Sequence, residues 1–243
     1  MELIKTLLGQ ISKMKIYNNN CLDILKNFSD KSIDYVFTSP PYNIKRTKGN
    51  KYHKYDFEKF QDNQKNYFEW CVNVIDELLR VTKNHIFWNV QANYYNKKDV
   101  HKLIGHYSNK IQQNFIWHKP ANYIPSSQKY YVSNVYEYIL GITNQKYIKS
   151  NKIFIKNHLD INGYSKNRGK FNAVMNPEVS DFFIKNFTKK NEIVLDPFMG
   201  TGTTGMSCIK YQRKFIGIEL VEDYYNYAKD RFKNNGNIST ESS

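Results

Sequence analysis

Two stretches of this chain carry residue types whose spacing suits chemistry. The first is Thr38-Ser39-Pro40-Pro41-Tyr42-Asn43. It follows the apolar run Ile33-Asp34-Tyr35-Val36-Phe37, which reads as a buried strand. Two consecutive prolines end a strand and stiffen the backbone, because each locks φ and lacks an N–H. The result is a rigid corner bearing a hydroxyl, carbonyls without competing N–H groups, and an aromatic ring. Such a set can stack on a flat base while accepting hydrogen bonds from an exocyclic amine. The same residues also suit a plain strand stop with Tyr42 as packing.

The second stretch is Asp196-Pro197-Phe198-Met199-Gly200-Thr201-Gly202-Thr203-Thr204-Gly205, a G-x-G-x-x-G pattern between a strand and a helix. Glu219 ends the next strand, 19 residues after Gly200. Glycines at this spacing let the backbone turn under a nucleoside, and the carboxylate can take both ribose hydroxyls. A dinucleotide fits poorly. Only 38 residues follow Gly205, too few for the second half of a dinucleotide fold. Asp196 would also repel a pyrophosphate, whereas it favours an ammonium or a sulfonium. S-adenosylmethionine offers a ribose, an ammonium and a sulfonium without phosphate, and is the cofactor these residues favour.

The elements that must position the two stretches alternate. Strands are expected at residues 15–17, 33–37, 86–90, 111–117, 135–141, 191–196 and 214–218. Helices are expected at 22–27, 64–81, 97–108, 177–187, about 203–211 and 222–232. Asn20 can cap the first helix, and Pro177 suits the first turn of the fourth. The helix at 64–81 presents Phe68, Val72, Ile75, Leu78 and Leu79 on one face. Alternation of this kind implies an α/β fold, a mostly parallel sheet with helices on both faces. The whole reads as one domain over residues 14–235, with flexible ends at 1–13 and 236–243. The organised pattern begins at Lys15, which leaves Met1 and Met14 both open as the start. Residues 44–62, with Lys45, Arg46 and Lys48 directly after the corner, read as a loop that closes over a substrate or grips phosphates, or as a solvated surface loop. Residues 144–170, with Arg168, read as an insertion suited to recognising a target sequence or to spacing.

Lys and Arg number 36 against 22 Asp and Glu, a formal charge of +14. A surplus of that size points to a polyanion, nucleic acid first, although an AT-rich genome also inflates Lys. The three cysteines are far apart and unpaired in sequence, and the six histidines form no ligand pattern. No metal is therefore expected, and the cysteine usage fits a reducing, cytoplasmic setting. No run is long enough for a membrane span.

The Ser-Pro-Pro-Tyr corner early in the chain, followed late by Asp-Pro-Phe-Met-Gly-Thr-Gly, resembles the DNA amino-methyltransferases of the beta motif order. The resemblance covers about residues 15–233. It implies a circularly permuted, seven-stranded, mainly parallel sheet with one reversed strand. It also implies S-adenosylmethionine as cofactor and double-stranded DNA as partner, with a homodimer and a cognate restriction endonuclease as further candidates. Carried over by position, Ser39, Pro40, Pro41 and Tyr42 are catalytic. Asp196, Phe198, Gly200, Thr201, Gly202 and Thr203 border the methionine part of the cofactor, Glu219 the ribose, and Asn20 and Cys21 the adenine. Many members have an acidic residue where this chain has Asn20. Asn43, Lys45, Arg46, Lys48 and Arg168 are candidate DNA contacts.

The implied chemistry is methyl transfer to the exocyclic amine of a flipped base, with acceptors on both N–H groups freeing the nitrogen lone pair. Ser at position 39 leans the resemblance to N4 of cytosine. Asn43 after Tyr42 keeps N6 of adenine open. RNA methylation, or nucleic-acid binding without catalysis, is the more distant alternative.

Overall fold

The computed structural model describes residues 14–43, 64–120, 134–163 and 174–235. Among the described residues, eight strands form one sheet. They are β1 (Met14–Asn18), β2 (Ile33–Thr38), β3 (Thr82–Val90), β4 (Ile111–His118), β5 (Tyr136–Thr143), β6 (His158–Asp160), β7 (Ile193–Asp196) and β8 (Lys214–Glu219). Their order across the sheet is β1-β8-β7-β2-β3-β5-β4-β6. Only β5 runs against its neighbours β3 and β4; the other pairings are parallel. The single reversed strand agrees with the resemblance, and the strand count exceeds it by one. The extra strand, β6, lies inside the stretch expected to be an irregular insertion. It escapes the sequence pattern because it has three residues and one buried apolar side chain, Leu159.

Helices α1 (Cys21–Leu25), α2 (Tyr67–Val81), α3 (Lys97–His106), α4 (Pro177–Phe187), α5 (Thr203–Lys210) and α6 (Glu222–Asn234) cover the sheet. Residues of α1, α2 and α3 share one core, and residues of α4, α5 and α6 share the other. The strands feed both. In β2, Val36 joins the first core while Tyr35 and Phe37 join the second; in β3, Ile86 and Trp88 face one way and Phe87 the other. That two-sided burial is why these strands read as continuous apolar runs. On the second face Phe183 stacks on Phe37 at 5.0 Å and meets Phe87 at 4.7 Å. Each such ring, fully buried, contributes about 1.5–3 kcal/mol of transfer free energy. On the first face α2 buries Tyr67, Phe68, Cys71, Val74, Ile75, Leu78 and Val81. Val72 and Leu79, expected on that stripe, lie at its rim.

Element ends differ from expectation by a few residues. Helix α2 begins at Tyr67, where the Asn66 side chain caps it, rather than at 64. Strand β3 begins four residues earlier than expected, at Thr82. Helix α1 is too short to hold by itself. Arg80 of α2 ties down its C-terminal end, donating to the Leu25 carbonyl at 2.9 Å and the Phe28 carbonyl at 2.7 Å. No described helix is long and apolar enough to cross a membrane.

Candidate active site

The sheet order changes direction between β7 and β2, because the chain runs outward from β7 through β8 and from β2 through β3. Ligand sites in such sheets form beyond the carboxyl ends of the strands at this switch point. Both sequence motifs end there.

The floor beneath β7 and β8 is built around two buried carboxylates. Asp196, 4% exposed, ends β7. Its Oδ1 accepts from the Thr38 hydroxyl at 2.7 Å and the Phe198 N–H at 3.1 Å, and its Oδ2 from the Thr204 hydroxyl at 2.7 Å. Glu219 ends β8. Its Oε2 accepts from the Gly200 N–H and its Oε1 from the Val221 N–H, both at 2.8 Å. Burial pushes the Asp196 carboxyl up to about 6, against those hydrogen bonds. Burial pushes Glu219 up to about 7, and the nearby Asp196 charge adds to the rise. Among the described residues neither carboxylate has a Lys or Arg partner.

Gly200 and Gly202 make the tight turn between them, at φ +55° and +81°. Only glycine takes both without strain. Gly202 leads directly into α5, whose Thr203 is buried. Thr201 is also buried and its carbonyl accepts from Arg231. Phe198 lies against Trp70 and Trp88.

The start of α1 packs beside Glu219. The Asn18 amide and the Asn19 N–H both donate to the Glu219 carbonyl, at 2.8 and 3.1 Å. The Asn20 side chain caps α1 through the Leu22 N–H at 2.9 Å, as expected. Cys21 is buried, and burial pushes its thiol up to about 12. The structure thus gathers Asn20, Cys21, Gly200 and Glu219 into one region.

The corner after β2 is clamped from several sides. The Tyr67 hydroxyl donates to the Pro41 carbonyl at 2.8 Å, and the Asn93 and Asn96 amides donate to the Tyr42 carbonyl at 3.2 and 2.8 Å. No donor among the described residues takes the Pro40 carbonyl. The Ser39 and Tyr42 hydroxyls lie 2.7 Å apart. The Asn89 amide nitrogen reaches Tyr42 Oη at 2.7 Å, Glu137 Oε2 at 2.7 Å and Ser39 Oγ at 3.3 Å. Tyr42 Oη donates to Glu137 Oε2 at 2.9 Å, and Glu137 Oε1 pairs with Lys119. Asn89 Oδ1 is buried without a donor. The corner therefore holds a surplus of acceptors, which suits a ligand that brings N–H groups.

The family model described as DNA methylase matches residues 33–230. The chain belongs to the DNA methylase family. The methylase is thereby an S-adenosylmethionine-dependent DNA amino-methyltransferase. Its relatives include the type II methyltransferase M2.MboI of Moraxella bovis, 27% identical, with 89% of this chain and 86% of that protein aligned. M.BglII of Bacillus subtilis is also 27% identical, over 88% of this chain and 67% of its own. Among solved structures, a cytosine-N4-specific PvuII DNA methyltransferase superposes with a TM-score of 0.71 at 20% identity, covering 97% and 92% of the two chains. A complex of M1.HpyAVI with S-adenosylmethionine gives 0.60 at 23% identity, covering 90% and 99%. These likenesses establish a shared fold.

Several details of the methylase depart from the sequence expectation. Asp196, set at the methionine part of the cofactor by the resemblance, also binds β2 to α5 through the hydroxyls of Thr38 and Thr204, a role the sequence does not announce. Asn43, a candidate DNA contact, is buried at φ +53° and donates to the Gln64 carbonyl at 3.3 Å. Lys45, Arg46, Lys48 and Arg168 lie outside the described residues. The sequence reading missed Asn89, Lys119 and Glu137. Their one signal was a polar residue inside an apolar strand, as in Phe87-Trp88-Asn89-Val90, since a buried polar side chain needs a partner. It also found no histidine cluster, whereas pairing of β4 with β6 gathers His118, His158 and Asp160 at the sheet edge, with His118 hydrogen-bonded to Asp160 at 2.7 Å.

Proposed function

We propose that the methylase transfers a methyl group from S-adenosylmethionine to N4 of cytosine in duplex DNA. The reading rests on one contact, the 2.7 Å hydrogen bond from Thr38 to Asp196. It fixes Ser39, the next residue, beside the floor of buried carboxylates. The donor set of that floor suits the cofactor. Each oxygen of Glu219 holds one N–H and has a lone pair left for a ribose hydroxyl. Two buried carboxylates with no Lys or Arg partner among the described residues favour a ligand that brings positive charge.

In this reading Asp196, Phe198, Gly200, Thr201, Gly202, Thr203 and Glu219 hold the cofactor, with Asn20 and Cys21 beside its adenine. When bound, S-adenosylmethionine supplies an electrophilic methyl on a sulfonium. The chain supplies alignment. Tyr42 stacks on the flipped base, and Ser39 Oγ and the Pro40 carbonyl accept from its amine. Acceptors on both N–H groups draw the nitrogen toward a pyramidal form and free its lone pair. The neutral Ser39 and the cytosine-N4 specificity in the name of the PvuII neighbour support cytosine as the target. The enzyme works as one domain over residues 14–235, with 144–170 reading the DNA.

The test is transfer from labelled S-adenosylmethionine to unmethylated duplex DNA, with product nucleosides resolved by mass spectrometry. N4-methylcytosine is the expected product. N6-methyladenine would keep the site and correct the base. Label in RNA alone would overturn the proposal.

A further inference from the structure

The network behind Ser39 has a direction. A carboxylate only accepts, so the Tyr42 hydroxyl proton must point to Glu137 Oε2, 2.9 Å away. The Tyr42 oxygen then accepts, from the Asn89 amide at 2.7 Å and from the Ser39 hydroxyl at 2.7 Å. The Ser39 proton is therefore turned inward; one Ser39 lone pair faces the Asn89 amide at 3.3 Å, and the other is left for the substrate. Glu137 and Lys119 are both nearly buried, with side chains 7% and 12% exposed, so the charge at the end of this chain is held in place. These groups come from four segments: the corner after β2, β3, β5 and the end of β4. They meet at one end of these neighbouring strands because Asn89 pairs with Ile139 and Trp117 with Glu137.

We propose that Ser39, Tyr42 and Glu137 form a proton relay that takes the surplus proton from the methylated amine. The inference rests on the amino-methyltransferase reading above. An amine nitrogen that has formed its new N–C bond, with the C–S electron pair left on sulfur, carries a positive charge and one proton too many. Its N–H bond breaks as the proton passes to Ser39 Oγ. The Ser39 proton passes to Tyr42 Oη, and the Tyr42 proton to Glu137, whose carboxylate becomes neutral beside Lys119. One proton moves from nitrogen to Glu137, and both hydroxyls end as they began. The same chain explains why Ser39 receives an amine: with Glu137 charged, Ser39 cannot offer its proton outward. Glu137 is thus a positioning residue before transfer and the proton sink after it.

The test compares Tyr42→Phe, Glu137→Gln and the double variant Lys119→Met/Glu137→Gln with the wild type. Tyr42→Phe keeps the ring and removes the relay oxygen. The double variant removes both buried charges, so neither is left unpaired. The measurements are the single-turnover methyl-transfer rate on duplex DNA and the dissociation constants for DNA and S-adenosylmethionine. Each variant should slow transfer by about 100-fold or more, the usual scale of proton-transfer catalysis, with both dissociation constants changed less than about threefold. In the cofactor-free protein, the Tyr42 hydroxyl proton should be protected from exchange in NMR spectra, and that protection should vanish in Glu137→Gln. Wild-type rates in Tyr42→Phe would overturn the relay, as would recovery of the rate in the double variant, which would make the ion pair a purely structural element. A wild-type enzyme that leaves DNA amines unmethylated would instead sink the functional reading on which the relay rests.

Discussion

Replacing Asp196 with asparagine should stabilise the cofactor-free methylase and weaken its grip on S-adenosylmethionine. The side chain sits 4% exposed with its carboxyl pushed up to about 6 by burial. Holding it ionised at pH 7.5 costs about 3 kcal/mol relative to an unfolded chain, where it titrates at its ordinary value. Asparagine keeps the hydrogen bonds. Its oxygen accepts from Thr38 and the Phe198 N–H, and its NH₂ donates to the Thr204 hydroxyl, which rotates to accept. The variant removes the charge alone. A raised carboxyl favours the folded state below its unfolded pKa and loses that advantage as pH rises through the folded value. The gain of Asp196→Asn should thus be near zero at pH 4, grow through pH 6, and level at about 3 kcal/mol above it. Urea denaturation across pH 4–8 measures this directly. Against the cofactor the sign reverses. A charge ~5 Å from a cation, at an effective dielectric of about 20, is worth roughly 3 kcal/mol, or about 100-fold in affinity. Isothermal titration at pH 7.5 should find that loss. A variant less stable than wild type at pH 7.5, or one that binds S-adenosylmethionine equally well, would refute the view of Asp196 as a buried charge that complements a cation.

Glu219 should make cofactor affinity pH-dependent, because burial holds its carboxyl at about 7. Protonation as pH falls below 7 removes a negative charge, so the dissociation constant should rise by up to about tenfold per pH unit, and titrations between pH 5.5 and 8.5 would reveal a flat profile if Glu219 does not participate. Ser39→Ala should abolish methyl transfer while S-adenosylmethionine binds as before, read by filter assay and calorimetry; retained turnover would remove Ser39 from the mechanism. Gly202→Ala should cost about 2–4 kcal/mol in urea denaturation, since φ is +81° and an added Cβ would lie 2.6 Å from the Phe232 ring.

Much of this architecture is written in local chemistry. Apolar runs such as Tyr35-Val36-Phe37 and Ile216-Gly217-Ile218 declare strands buried on both faces, because a strand between two helix layers has no polar side. Pro40-Pro41 declares a stop, and Gly200 and Gly202 a turn that only glycine makes. The helix cap at Asn20 follows from a side chain that satisfies a free N–H group of the first turn. These are interactions within a few residues, and the amino-acid order alone determines them.

The tertiary structure decided what depends on partners distant in the chain. Strand β6 exists because β4 offers it an open edge, not because three residues prefer to be extended. Asp196 faces inward because Thr38, 158 positions away, meets it there. The third glycine of the motif, Gly205, serves packing, since its Cβ would lie 2.5 Å from the Phe232 ring of α6. Asn89, Lys119 and Glu137 carry no motif, and each alone is an ordinary polar residue at the end of a strand. Pairing of β3, β5 and β4 brings them behind Tyr42. There, away from water, a hydrogen bond or an ion pair becomes strong enough to orient a proton.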